Sequence, residues 1–131
     1  MTVFGQPTLH LQPNQNVYNP SHYAQIIEDS EKGLDLRRVA SQEYLSKFAP
    51  AAREVLSFGY TTSAIWVKVS LINAKMEDAE FVLEVAYPLL ENVDFFLTDA
   101  RGNLTASGRS GTAVSRNSAV MDRNHTFRFS L

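Results

Sequence analysis

The sequence predicts a mainly β protein, a jelly-roll-like antiparallel sandwich with one or two short helices. Three observations predict it. Apolar residues alternate with other residues in four short runs after residue 60, which is the period of strands that bury one face. Turn-forming residues separate those runs, and many short strands between turns point to a sandwich or barrel. Helical spacing is confined to residues 34–49.

Taken in order, residues 7–27 read as extended. Leu9 and Leu11 alternate with Thr8 and His10, Pro13-Asn14 and Asn19-Pro20 mark turns, and 23–27 is strand-like. Glu28-Asp29-Ser30-Glu31-Lys32-Gly33 is a polar turn closed by glycine. Leu36, Val39 and Ala40 then recur at helical spacing, as do Tyr44, Leu45 and Phe48, until Pro50 stops the run. One or two brief helical turns are expected there. In 64–72, Ile65, Val67, Val69 and Leu71 form an apolar face opposite Trp66, Lys68 and Ser70. Residues 73–79 make a polar turn. Phe81, Leu83, Val85 and Tyr87 alternate against Val82, Glu84 and Ala86 up to Pro88. Val93, Phe95 and Leu97 alternate against Asp94, Phe96 and Thr98, followed by a turn at 99–103. A loop rich in Gly and Ser is expected over 105–118, and Phe127, Phe129 and Leu131 alternate with Arg128 and Ser130 in a last strand.

Composition bounds the function. The chain has 131 residues, 44% hydrophobic and 20% charged, with no cysteine. That length fits one domain over residues 1–131, able to bury about two-thirds of its unfolded surface, and the composition excludes disorder. Without cysteine there is no disulfide scaffold, no cysteine nucleophile and no thiolate metal site. No apolar run approaches the roughly 18 residues of a membrane span, and the first residues lack the basic start and apolar core of a signal peptide. Residues 1–27 carry no Lys, Arg, Asp or Glu, whereas residues 101–131 hold five arginines against Asp122 alone. Nucleic-acid binders usually have a pI above about 9. The pI of about 5.9 here therefore argues against a nucleic-acid partner.

Motifs for catalysis are missing: there is no Gly-x-Ser-x-Gly, no Gly-x4-Gly-Lys and no His-Glu-x2-His. His10, His22 and His125 stand without a second ligand at metal spacing, so no metal and no cofactor is expected. Gly108-Arg109-Ser110-Gly111 has the composition of an anion cradle, but no helix start follows it, which favours a plain connection between strands. Glu77-Asp78-Ala79-Glu80 offers oxygens to calcium and equally suits a solvated turn. Asn103-Leu104-Thr105 and Asn124-His125-Thr126 match the N-glycosylation pattern, which has meaning only in a eukaryotic secretory setting.

The informative feature is Trp66, which alternation places beside Lys68 and Ser70, while Phe96 shares its face with Asp94 and Thr98. An accessible aromatic among charged and hydrogen-bonding groups is how a sheet face recognises sugars. Trp66 would be the stacking platform, with Lys68, Glu84, Asp94, Phe96 and Arg128 as companions. The competing reading is that the 34–58 segment folds over Trp66 and buries it, the usual remedy for an exposed apolar patch.

Two blocks carry a resemblance. Phe58-Gly59-Tyr60-Thr61-Thr62-Ser63-Ala64-Ile65-Trp66-Val67-Lys68-Val69-Ser70-Leu71-Ile72-Asn73 is the first, and Phe81-Val82-Leu83-Glu84-Val85-Ala86-Tyr87-Pro88-Leu89-Leu90-Glu91-Asn92-Val93-Asp94-Phe95-Phe96-Leu97 the second. Together they resemble the second type of extracellular domain of bacterial seven-transmembrane receptors with diverse intracellular signalling modules. Ile27-Glu28-Asp29-Ser30 and the stretch after it look like the family's Glu-Asp turn and short helix. The resemblance covers about residues 5–131. It implies a sandwich similar to carbohydrate-binding modules, outside the inner membrane. Seven membrane helices and a histidine kinase, guanylate cyclase or similar output would follow. Carbohydrate is the ligand commonly proposed for the family, and no catalytic residue comes with the likeness.

In the family a further segment, typically with Tyr-x-Arg, follows the strand matching 126–131. Its absence here predicts an open sheet edge, inviting strand exchange or edge-to-edge dimerisation. The expectation is thus a non-enzymatic periplasmic sensor domain, anchored to the membrane by segments outside this chain, that binds a carbohydrate-like small ligand on one sheet face. The alternatives are an interaction or homodimerisation module without a small ligand, and a hydrolase of sandwich form.

Overall fold

The structure, a computed structural model, describes residues 7–51, 61–87, 90–111 and 124–131. The fold is mainly β, with antiparallel sheets and short helices, consistent with the β-sandwich class expected. Two compact units divide the chain, Met1–Met76 and Glu77–Leu131.

In the first unit, β1 (Thr8–Leu11) buries Leu9 and Leu11 and exposes His10, as its alternation requires. A 3-10 turn (Pro20–Tyr23) follows, with Asn19 accepting the Ser21 N–H on its side-chain oxygen and Pro20 fixing the first residue. β2 (Gln25–Asp29) is the centre of a three-stranded sheet, antiparallel to both β3 (Ala49–Pro50) and β4 (Ala64–Lys68). At the end of β2, the buried Asp29 carboxylate accepts the N–H groups of Gly33 and Leu34 at 3.3 and 2.8 Å. It thereby folds the polar turn, in which Lys32 takes a positive φ of 56°. The two expected helical turns are α1 (Leu36–Val39), capped by Asp35, and α2 (Gln42–Leu45). Among the described residues, Val39 and Ala24 complete the buried apolar set of this unit.

The run expected as one strand over 64–72 is two. β4 ends at Lys68, and β5 (Ser70–Asn73) begins after Val69 and pairs with β1 in parallel, Leu9 opposite Leu71. The apolar face is also interrupted, because Val67 is 47% exposed while Lys68 is half-buried. Period-two spacing orders side chains along a strand and carries no information on a change of partner sheet.

The second unit has β6 (Glu80–Val85) antiparallel to β9 (His125–Ser130), and β7 (Val93–Thr98) antiparallel to β8 (Leu104–Ser110). The β7–β8 turn follows the expectation for 99–103: the Asp99 carboxylate accepts from the Arg101 and Asn103 backbone, and Gly102 takes a φ of 85°. Between the two strand pairs lies a ladder of phenylalanines. Phe81 stacks on Phe129 at 5.7 Å, Phe95 on Phe127 at 5.1 Å, and Phe95 tilts against Phe129 at 5.7 Å. Each such contact adds about 0.5–1.5 kcal/mol beyond area burial. Phe127, the most buried of them at 6% exposure, lies against Gly108, where a Cβ would stand 2.8 Å from its Cδ1.

β8 corrects the expected loop over 105–118. Residues 105–110 are strand, and 112–118 lie outside the described residues. The reason is tertiary: Ala106, Gly108 and Ser110 form the inward row of β8, and a small residue at 108 is what admits the Phe127 ring.

Candidate functional site

On β4, Trp66 pairs with Ile27 and Lys68 with Gln25 of β2. Both are half-buried. Phe48, just after α2, lies 4.9 Å from the Lys68 ammonium across its ring face, a cation–π contact. Burial of the ammonium pulls the Lys68 pKa below its ordinary value. Part of the 34–58 segment thus does lie on this face, against Lys68, while Trp66 keeps partial access. Residues 52–58 of that segment are outside the described ones.

The other four expected site residues belong to the second unit. Asp94 and Phe96 share the outer face of β7, Phe96 at 36% exposure. The Asp94 carboxylate is held by its cross-strand partner, Arg109 Nε to Asp94 Oδ1 at 2.9 Å. That pairing engages the Arg109 guanidinium on the outer face of the β7–β8 pair. Glu84 and Arg128 share the outer face of the β6–β9 pair as diagonal neighbours, since Glu84 faces Thr126 and Val82 faces Arg128. Glu84 Oε1 accepts from Asn124 Nδ2 at 2.6 Å. The phenylalanine ladder lies inside both pairs, so these four residues form two couples on different outer faces rather than one patch.

Two features escaped the sequence reading. The first is a polar cleft of about 560 Å³ in the first unit, lined by Thr8, Leu9 and His10 of β1, by Gln12, Gln15, Tyr18 and Asn19, and by His22 and Tyr23. Its loop is tied by Tyr18, whose hydroxyl accepts the Gln12 N–H at 2.7 Å and faces the Gln15 carbonyl at 2.8 Å. The signal that could have found it is the stretch of 27 residues without charge, dense in amides, imidazoles and tyrosines.

The second feature is His125, 4% exposed on β9. Its Nε2 is 2.9 Å from the Tyr87 carbonyl, which can only accept, so Nε2 carries a proton. Nδ1 is 2.8 Å from Ser110 Oγ. A serine–histidine contact resembles part of a hydrolytic triad, yet the orienting partner here is a backbone carbonyl where a triad has a carboxylate. The arrangement fastens β8 to β9. Among the described residues, no cluster of three His, Cys, Asp or Glu could hold a metal.

Set beside known families, residues 21–131 match the family model described as 7TMR-DISM extracellular 2. The chain belongs to this family. A 7TMR-DISM extracellular 2 domain is an extracellular sensor domain of a membrane receptor, which places this chain on the extracytoplasmic side. The match runs from the 3-10 turn to the end of β9 and so includes the Asp29 turn and both helical turns. No match is found among curated proteins.

Proposed function

We propose that this 7TMR-DISM extracellular 2 domain is the periplasmic ligand-sensing input of a bacterial inner-membrane receptor with a histidine kinase or diguanylate cyclase output. Its ligand is a carbohydrate-like small molecule taken up on a sheet face, with Trp66 as the stacking platform and Lys68 beside it. Asp94 with Phe96 is a further polar–aromatic surface, and Glu84 with Arg128 a charged one. Family membership supports the sensor role. The observation that carries the ligand reading is that Trp66, the sole tryptophan, stays half-exposed on a strand beside a cation. Signalling follows by population shift: a ligand that prefers one arrangement of the domain biases it by its difference in affinity for the two. The test replaces Trp66 with Ala, checks the fold by circular dichroism, and titrates glycans by calorimetry. Loss of binding with an intact fold is expected, and unchanged binding overturns the assignment.

A second reading, homodimerisation or protein contact without a small ligand, draws on exposed apolar side chains in the second unit, Val82, Tyr87 and Leu104. Sedimentation decides between them. A stable dimer in a protein that no glycan perturbs favours contact, and a monomer at high concentration removes it.

A further inference from the structure

We propose that the cleft between β1 and the residues leading into β2 is a binding site for an uncharged, hydroxyl-rich small molecule, one or two sugar rings in size. The inference rests on the sensor reading of the domain but not on the Trp66 platform.

Charge comes first. Every lining residue lies within the stretch that contains no Lys, Arg, Asp or Glu. An ion entering the cleft gives up hydration and meets no opposite charge in return, whereas a neutral molecule escapes that penalty. The lining is nevertheless rich in hydrogen-bonding groups: the Gln12 amide and the imidazoles of His10 and His22, with the Gln15 amide, whose Nε2 donates to the Val17 carbonyl, and the Asn19 amide, whose Oδ1 accepts the Ser21 N–H, beside them. An amide side chain both donates and accepts, as does a neutral imidazole across its two nitrogens, which is the double demand that each hydroxyl makes. A purely apolar guest would strand the Gln12 amide and the two imidazoles, so the lining selects for hydroxyls rather than for hydrocarbon.

Shape and rigidity agree. About 560 Å³ falls inside the range of small-molecule sites. Tyr18 adds a flat apolar ring to the wall, suited to the C–H face of a sugar. The loop is already fastened by the Tyr18 hydroxyl on the Gln12 and Gln15 backbone and by the Asn19 side chain on the Ser21 N–H. Binding therefore orders little that is not ordered beforehand, which preserves affinity.

The test is an NMR titration of the isotopically labelled chain with maltose, trehalose and myo-inositol. Glucuronate and glucosamine serve as charged counterparts. Saturable shifts in the side-chain amide signals of Gln12, Gln15 and Asn19 with at least one neutral probe are expected. Gln12→Ala and His22→Ala should each weaken that binding about tenfold, a loss of the size set by one or two hydrogen bonds, and Met76→Ala, at a fully exposed position after β5, should leave it unchanged. Gln12 holds the loop through its backbone, so the alanine variant retains the Tyr18 contacts. Tighter binding of the charged sugars overturns the inference, as does the lack of any saturable shift up to ~10 mM, ten times a weak Kd of about 1 mM. Sugar binding that Trp66→Ala abolishes and the cleft variants spare overturns the cleft while the sensor reading stands.

Discussion

Gly108→Ala tests the packing of the second unit at its tightest point. The new Cβ would stand 2.8 Å from Phe127 Cδ1 and 3.3 Å from Cε1, where ordinary contact begins at 3.4 Å. Phe127 must retreat by several tenths of an ångström, yet it is stacked on Phe95 at 5.1 Å with only 18° between the rings. Overpacking of this kind costs about 1–3 kcal/mol. Alanine gains back about 0.4–1 kcal/mol through the less flexible unfolded chain, since Gly108 does not require a positive φ. The net loss is about 1–2 kcal/mol, or about 0.5–1 M in the urea midpoint for an m-value of about 2 kcal/mol/M. Urea unfolding followed by circular dichroism measures it. Phe127→Val deletes both clashing ring atoms, so the double variant should be more stable than the sum of the single losses predicts, by about 1 kcal/mol. A Gly108→Ala protein as stable as the parent, or strictly additive losses, refutes the reasoning.

Two further predictions concern fastenings. His125→Ala strips the Tyr87 carbonyl and the Ser110 hydroxyl of their partner, so a loss of about 2–3 kcal/mol is expected. Thermal denaturation should show a fall of several degrees, and a change within about 1 °C contradicts the fastening role. The Asn103 backbone N–H, followed by the Asn103 side chain, holds the Asp99 pKa below its ordinary 3.8. A carboxyl depressed on folding contributes stability that is present above its unfolded value and lost as pH falls through the folded one. Asp99→Asn should therefore flatten the acid limb of the stability profile below about pH 4. An unaltered limb counts against the turn's dependence on the carboxylate.

The alternation of Val93, Phe95 and Leu97, and of Phe127 with Phe129, made the second unit's core legible, because a half-buried antiparallel strand writes its burial into every second residue. The Asp29 turn and the helical turns before Pro50 were equally readable from local chemistry. β8 was not, since Ala106, Ser107, Gly108 and Ser110 show no apolar period and the strand is specified by the ring that lies on it. Of the candidate residues, Trp66 and Lys68 are placed on one strand by alternation alone, whereas the contacts of Asp94 with Arg109 and of Glu84 with Asn124 come from partners distant in sequence, which alternation does not reveal. The cleft is hidden for another reason: its signature is a lack of charge, and its loop is closed by the Tyr18 hydroxyl on the Gln12 and Gln15 backbone, a contact that no spacing announces.

The continuous run through β4, Val69 and β5 makes one backbone the ruler for two sheets. Trp66 is set against Ile27 on one side of Val69, and Leu71 against Leu9 on the other. Neither pairing can slip by a residue alone, since a slip turns every side chain of a strand to the opposite face. A single inserted residue at position 69 should thus uncouple two alignments at once, whereas one in the polar turn at 30–33 leaves both intact. Tolerance of the fold to length change is concentrated in its turns, and Val69, though outside either strand, is among its least forgiving positions.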